Sequence, residues 1–210
     1  MELKVHDIVK WESIDHLEKT TPIPDWVYDA PAAKNYGVVR RMPIMNGMVP
    51  IGLRGSTREQ RFGTFIHQSH IVEVMTPVDL VDRIEGYANE IHLPPLKKIK
   101  EAFEQFNLRW GPTGSVGFEL ATAIPVTTER SDLDLCIYMD AIDRELLAEA
   151  GKFLETLGRR IDVQVELASV GAFLLNDFLK HEKSGFVLRT PFGPQLCTTV
   201  ENRIRLLVNH

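Results

Sequence analysis

The stretch from Trp110 to Leu135, W-G-P-T-G-S-V-G-F-E-L-A-T-A-I-P-V-T-T-E-R-S-D-L-D-L, constrains this chain more than any other. Gly114-Ser115 stands before a short apolar run (Val116, Phe118, Leu120) that opens a helix. Backbone N–H groups at such a start, with the Ser115 hydroxyl beside them, suit a polyphosphate. Further on, Ser131-Asp132-Leu133-Asp134-Leu135 leads into an apolar run, Leu135 to Met139, that reads as a buried strand. Residues two apart on a strand share a face, so Asp132 and Asp134 set two carboxylates side by side. Such charges repel one another and are costly to bury unpaired. A divalent cation relieves both problems, and Mg²⁺ favours a few carboxylates together with substrate phosphates.

Gly-Ser followed by Asp-x-Asp on a strand resembles the signature of the nucleotidyltransferase superfamily. The resemblance implies an α+β fold, the polymerase-β-like mixed sheet with flanking helices. A length of 210 residues accommodates one large domain or two small ones. The net charge of −5 argues against a nucleic-acid binder, which needs a basic surface to neutralise phosphates. Cys136 and Cys197 have no metal or redox spacing, and Cys136, inside the core strand, reads as a small apolar residue. The first residues, M-E-L-K-V-H-D, carry no apolar run of signal-peptide length, and no stretch is long enough to span a membrane. The expectation is a soluble, cytoplasmic protein.

The N-terminal part reads as β-rich. Tyr36–Met42 and Met48–Arg54 have strand character, and Asn46-Gly47 between them is a favoured hairpin dipeptide. In the segment Arg54 to Arg61, Ser56 or Thr57 can cap a short helix that sets Arg58 and Arg61 one turn apart. The guanidinium groups of Arg54, Arg58 and Arg61 are suited to phosphates. His67 and His70 have helical spacing but no further ligand beside them, and read as structural or surface histidines. Thr76-Pro77 starts a helix that fades at Gly86 or resumes to Glu90. His92-Leu93-Pro94-Pro95 breaks the chain, dividing a β-rich unit over 1–90 from a second unit over 91–210.

In the second unit, Leu96–Phe106 and Asp140–Gly158 have helical apolar spacing. Ile161–Leu167 alternates strictly, with Asp162, Gln164 and Glu166 on its polar face. Beside the Asp132/Asp134 strand it supplies a third acid. Asp162 is the candidate base or further metal ligand, and Glu166 its rival. Gly171–Lys180 reads as a short helix, and Phe186–Thr190 and Gln195–Thr199 as a strand pair.

Beyond the superfamily motif, G-S-x-G-x-x-x-x-T-x-x-P at Gly114, Ser115, Gly117, Thr122 and Pro125 resembles the malonate decarboxylase holo-acyl-carrier-protein synthase (phosphoribosyl-dephospho-CoA transferase) family. So does P-x-G-x-R-G-x-x-R-x-x-R at Pro50, Gly52, Arg54, Gly55, Arg58 and Arg61. Ile161-Asp162 and the closing Thr190, Pro191, Gly193, Pro194 and Leu196 are in register as well. Where this family commonly has Gly after the third acid, the chain has Val163. The resemblance implies transfer of 2′-(5″-phosphoribosyl)-3′-dephospho-CoA from its triphosphate precursor, triphosphoribosyl-dephospho-CoA. The acceptor it implies is a serine of the malonate decarboxylase acyl carrier protein, and pyrophosphate leaves. It implies Mg²⁺ held by Asp132, Asp134 and Asp162, and neither nucleic acid nor membrane as a partner. Gly114, Ser115 and the arginines Arg54, Arg58 and Arg61 are then the substrate-binding candidates. The alternatives are another Mg²⁺-dependent nucleotidyltransferase acting on a small molecule or protein, and an inactive fold serving as a binding module. Retention of all three candidate acids argues against the last.

Overall fold

The structure, a computed structural model, describes residues 2–19, 21–29, 35–57, 59–168, 170–200 and 202–207. Its elements build two sheets. The first contains β1 (Ile8–Trp11), β2 (Tyr36–Val39), β3 (Met48–Arg54), β4 (Arg61–His67) and β5 (Ile71–Met75), in the order β4-β3-β2-β1-β5 with every pairing antiparallel. A one-turn helix, α1 (Trp26–Asp29), places Val27 in the cluster formed by Val9, Trp11, Val49, Ile51 and Ile66. The β2–β3 connection closes on Asn46-Gly47, both at positive φ, with Met48 N–H bonded to Met45 C=O at 2.8 Å. That double left-handed turn is what the dipeptide favours, because Asn and Gly tolerate positive φ.

The segment from Arg54 to Arg61 departs from the helix its composition suggests. Arg54 ends β3, Arg61 begins β4, and the two stand directly opposite each other. Gly55 N–H donates to Gln60 C=O, and the Ser56 hydroxyl and Thr57 N–H both turn to the Gln60 side-chain oxygen. The capping groups therefore close a hairpin loop, and the seven-pair β3–β4 ladder outweighs a helix of barely one turn. A Cβ on Gly55 would meet Gln60 at 2.4 Å and Trp26 at 2.8 Å, so this tight loop requires glycine. Arg58 lies outside the described residues.

A 3₁₀ helix, Asp79–Gly86, follows β5. Asp79 accepts from the Thr76 N–H and hydroxyl, and its own N–H donates back to that hydroxyl. Helix α2 (Leu93–Gln105) starts with prolines in its first turn and buries Leu96, Ile99 and Phe103. Then come β6 (Arg109–Pro112), α3 (Gly114–Thr122), β7 (Leu133–Met139), α4 (Arg144–Glu155) and β8 (Ile161–Leu167). The α4 helix is shorter than its apolar pattern, because Asp143 caps it by accepting from Leu146 N–H at 3.0 Å. The chain continues through β9 (Gly171–Leu174), α5 (Leu175–His181), β10 (Phe186–Thr190), β11 (Gly193–Val200) and β12 (Arg203–Leu206). The helix expected over Gly171–Lys180 thus begins as a strand. Ala172 and Phe173 are fully buried against β8 and β10, and Gly171 has a φ of 144°, which a helix does not allow.

The second sheet runs β12-β11-β10-β9-β8-β7-β6. Its β7–β8 pair is parallel, with α4 as the crossover that a parallel pair needs. One face of this pair (Leu133, Leu135, Ile137; Ile161, Val163, Val165) packs with α2, α4 and α5 into a core with Phe103, Leu147, Leu154, Phe173 and Phe178. Each such side chain, fully buried, contributes roughly 1.5–3 kcal/mol. The opposite face carries Asp134, Asp162, Gln164 and Glu166 toward the first sheet. Ile8, Met75, Leu80 and Ala121, with Tyr36, Val38 and Phe118 packed against them, join the two sheets through α3 and the 3₁₀ helix. No helix among the described residues is long and apolar enough to cross a membrane.

Candidate active site

The parallel register of β7 and β8 sets Asp134 directly opposite Asp162. Asp132 stands just before β7 and lines the same cleft. Burial, then repulsion from Asp162 and Asp132, pushes the Asp134 carboxyl above the usual carboxylate range, and the positive charges of His6 and Arg54 offset this only in part. Asp162 is met by Arg160, whose guanidinium donates to both carboxylate oxygens at 3.3 and 3.0 Å. Asp162 is thus paired within the protein, whereas at Asp134 burial and like charge outweigh the nearby cations.

The Gly-Ser turn lies against them. Thr113 N–H donates to Asp134 C=O at 2.8 Å, tying the start of α3 to β7. Gly114 has a φ of 60°, and a Cβ there would come within 2.1 Å of the Asp134 carboxylate. Glycine is thus required twice over, by backbone conformation and by closeness to the acid. Ser115 follows, buried yet lining the cleft.

Two connected chambers, of about 790 and 610 Å³, share Arg54, Arg61, Ser115, Asp134, Arg160 and Asp162. The larger adds Thr128, Arg130 and Asp132, and the smaller adds His6, Val38, Phe118, Gln164 and Arg189. Arg54 and Arg61, adjacent across the β3–β4 hairpin, thus bring the first sheet's guanidinium groups to the acids of the second. Among the candidates read from sequence, Asp132, Asp134, Asp162, Gly114, Ser115, Arg54 and Arg61 all meet at this cleft.

Glu166 is drawn elsewhere. It pairs with Tyr138 in the register, four residues beyond Asp162. Arg41 forms a bidentate ion pair with it, Gln164 donates to it at 2.8 Å, and His6 lies 3.5 Å away. Burial opposes its ionisation, but the hydrogen bonds and charges of His6 and Arg41 outweigh burial and hold the carboxyl down at about 2. Glu166 consequently joins the first sheet to the second and has no free role among the cleft acids.

Both places carry metal-type ligand atoms. Among the described residues, the set of metal-type ligand atoms lying within 4.8 Å of one another is His6, Cys136 and Glu166. That set already contains the Arg41 guanidinium, and burial raises the Cys136 thiol far from ionisation. The cleft offers three carboxylate donors, more widely spread, one of which, Asp134, is raised by burial and by the other two. Hard oxygen donors are the type that suits Mg²⁺, so Asp132, Asp134 and Asp162 could hold a metal.

Sequence reasoning missed several cleft residues. Arg160 is two residues before Asp162, so the strand period carries a signal for it. His6 arrives through the fold of the first sheet and has no local signal. Arg130 and the wall from Ile124 to Thr128 belong to the α3–β7 connection, whose course periodicity does not describe.

The model of the phosphoribosyl-dephospho-CoA transferase MdcG C-terminal domain matches residues 79–200, and that of the corresponding N-terminal domain matches residues 4–77. The chain is 36% identical to a phosphoribosyl-dephospho-CoA transferase of Klebsiella pneumoniae (strain 342), over 94% of this chain and 96% of the relative. It is 34% identical to one of Pseudomonas putida, over 91% of each chain, and 32% identical to one of Azotobacter vinelandii, over 82% of each. No solved structure gives a significant match.

Proposed function

This chain belongs to the phosphoribosyl-dephospho-CoA transferase family, and from that premise we propose that it attaches the prosthetic group of malonate decarboxylase. The donor is triphosphoribosyl-dephospho-CoA and the acceptor is a serine hydroxyl of the acyl carrier protein. The serine oxygen forms a bond to the α-phosphorus of the donor, the α–β bridging bond breaks, and pyrophosphate leaves. The carrier then holds the phosphoribosyl-dephospho-CoA group through a phosphodiester. The β-rich unit over 1–90 serves recognition and the unit over 91–210 carries the nucleotidyltransferase fold and the chemistry. The reaction takes place in the cytoplasm and requires neither nucleic acid nor membrane.

The observation that carries this reading is the meeting of the Gly114-Ser115 turn, three acids and two arginines at one cleft. Asp132, Asp134 and Asp162 would hold Mg²⁺, which when bound supplies charge neutralisation for the donor phosphates. The α3 N-terminus and the Ser115 hydroxyl orient the phosphates. Arg54 and Arg61 oppose the negative charge that develops on the leaving group from the other wall. Asp162, on the strand beside Asp134, accepts the serine proton as the new bond forms.

The test is an intact-mass measurement of the apo carrier after incubation with the protein, Mg²⁺ and the donor. The proposal expects a mass gain equal to the phosphoribosyl-dephospho-CoA group. An unchanged carrier, with pyrophosphate released from ATP onto another acceptor, would keep the nucleotidyltransferase site and discard this substrate pair.

A further inference from the structure

Glu119 lies on α3, one helical turn beyond Ser115, and faces away from the three acids. Its Oε2 accepts from Val126 N–H at 2.9 Å, Thr127 N–H at 2.8 Å and the Thr127 hydroxyl at 2.8 Å. Its Oε1 accepts from the Tyr87 hydroxyl at 3.1 Å and the Asn89 amide at 3.4 Å. Asn89 also donates to the Thr127 hydroxyl at 2.8 Å. Half-buried carboxylates on a helix seldom satisfy so many donors from one loop, and this loop is a wall of the cleft. Ile124, Pro125, Val126 and Thr127 all line the larger chamber, and Val126 lines both.

The loop has little else to hold it at this point. Behind it is a second hollow, open to solvent, lined by Asp82, Tyr87, Asn89, Glu119, Ala123 and Pro125. With a cleft on one side and a hollow on the other, apolar packing cannot fix the segment, and the carboxylate does so instead. The later part of the same connection has its own anchors. Arg159 donates to His92 Nδ1 at 3.1 Å, which leaves His92 Nε2–H to meet Thr128 C=O at 3.4 Å. Thr128 N–H and Ser131 Oγ close a turn at 2.9 Å, and Arg159 also reaches Ser131 C=O. Asp132 is therefore held independently of Glu119.

We infer that Glu119 is a positioning residue: it presents the Ile124–Thr127 segment as the apolar wall against which the nucleoside end of the donor packs. This rests on the proposed donor. The wall offers Ile124, Pro125 and Val126 to a flat base, while the phosphates lie toward Ser115 and the arginines. Glu119 touches neither donor nor acceptor and acts through the loop alone.

The test is donor affinity, measured by calorimetry with triphosphoribosyl-dephospho-CoA, alongside amide hydrogen exchange over residues 122–132. Glu119→Ala should weaken donor binding by about tenfold, the combined loss of several modest hydrogen bonds. Exchange should quicken at Val126 and Thr127 and not at Thr128 or Asp132, and Mn²⁺ affinity should remain that of the unaltered protein. Glu119→Gln keeps an oxygen for the Val126 and Thr127 donors and should bind donor within about threefold of normal. It also answers the question if the alanine variant folds poorly. Unchanged donor affinity and unchanged exchange in Glu119→Ala would overturn the inference, as would a loss of metal affinity equal to the loss of donor affinity. Failure of the unaltered protein to bind this donor would instead overturn the functional reading.

Discussion

The polar face of β7 and β8 carries acids toward both ends, and the protein treats them in opposite ways. Near the C-terminal end of the strands, Glu166 receives Arg41, His6 and Gln164, and its carboxyl is held down at about 2. Near the N-terminal end, Asp134 faces Asp162 and Asp132, and burial with their repulsion pushes it up. Both carboxylates are largely shielded from water, so exposure does not separate them. Counter-charge does. An acid compensated within the chain is part of the architecture; an acid whose ionisation is opposed at a cleft marks a candidate functional position.

That contrast can be broken by substitution. Asp134→Asn keeps the side-chain shape and removes the charge, and should lower transfer by on the order of 10³-fold or more while the fold persists. A mass assay of the carrier together with thermal unfolding reads both quantities. Gly114→Ala should leave the protein folded but push the Asp134 carboxylate aside, reducing turnover by about 10²-fold. If that variant turns over normally, the contact between turn and acid is irrelevant to chemistry. Arg61→Ala should raise the donor KM by roughly tenfold with a smaller change in kcat, since charged hydrogen bonds to phosphate contribute about 1.5–3 kcal/mol.

At the other group the expected signs reverse. Arg41→Ala leaves Glu166 buried beside only His6 and Gln164, and should destabilise the protein by about 3 kcal/mol with turnover per folded molecule nearly kept. Denaturant unfolding and active-site titration would separate the two effects. The same pair predicts a pH dependence. Glu166 is lowered from 4.5 to about 2, so its contribution is complete above pH 4.5 and is lost as pH falls toward 2. The integrated loss is up to about 3 kcal/mol. Asp134, raised by burial and then by its neighbours, works in the other direction: protonation relieves the buried charge and the repulsion in the folded state, so its contribution grows as pH falls through the raised value. Unfolding curves of the unaltered protein and of Glu166→Gln across pH 2–6 would show whether the acid-labile part belongs to Glu166.

Much of this division was legible in the sequence, and the limits have physical causes. Strict alternation at Ile161–Leu167 located both the strand and its polar face, because a period of two survives without tertiary information. The strand at Met48–Arg54 and the Asn46-Gly47 turn were equally local. Which of Asp162 and Glu166 belongs to the cleft was not local at all. It depends on the β7–β8 register and on Arg41, which arrives from the first sheet. The Arg54–Arg61 segment misled because Ser and Thr close hairpin loops as readily as they cap helices, and only the β3–β4 ladder decides between these. Glu119 carries no signal on its own helix, since its partners are the backbone of a loop and the side chains of an earlier segment.

The most direct test of the contrast is a Mn²⁺ titration, followed by electron paramagnetic resonance, on the unaltered protein, Asp134→Asn and Glu166→Gln without donor or carrier. The account predicts that the unaltered protein and Glu166→Gln bind the ion alike, while Asp134→Asn binds at least about tenfold more weakly, one carboxylate charge having been removed from the oxygen set. Binding that survives in Asp134→Asn and disappears in Glu166→Gln would put the metal at His6, Cys136 and Glu166 and contradict the account.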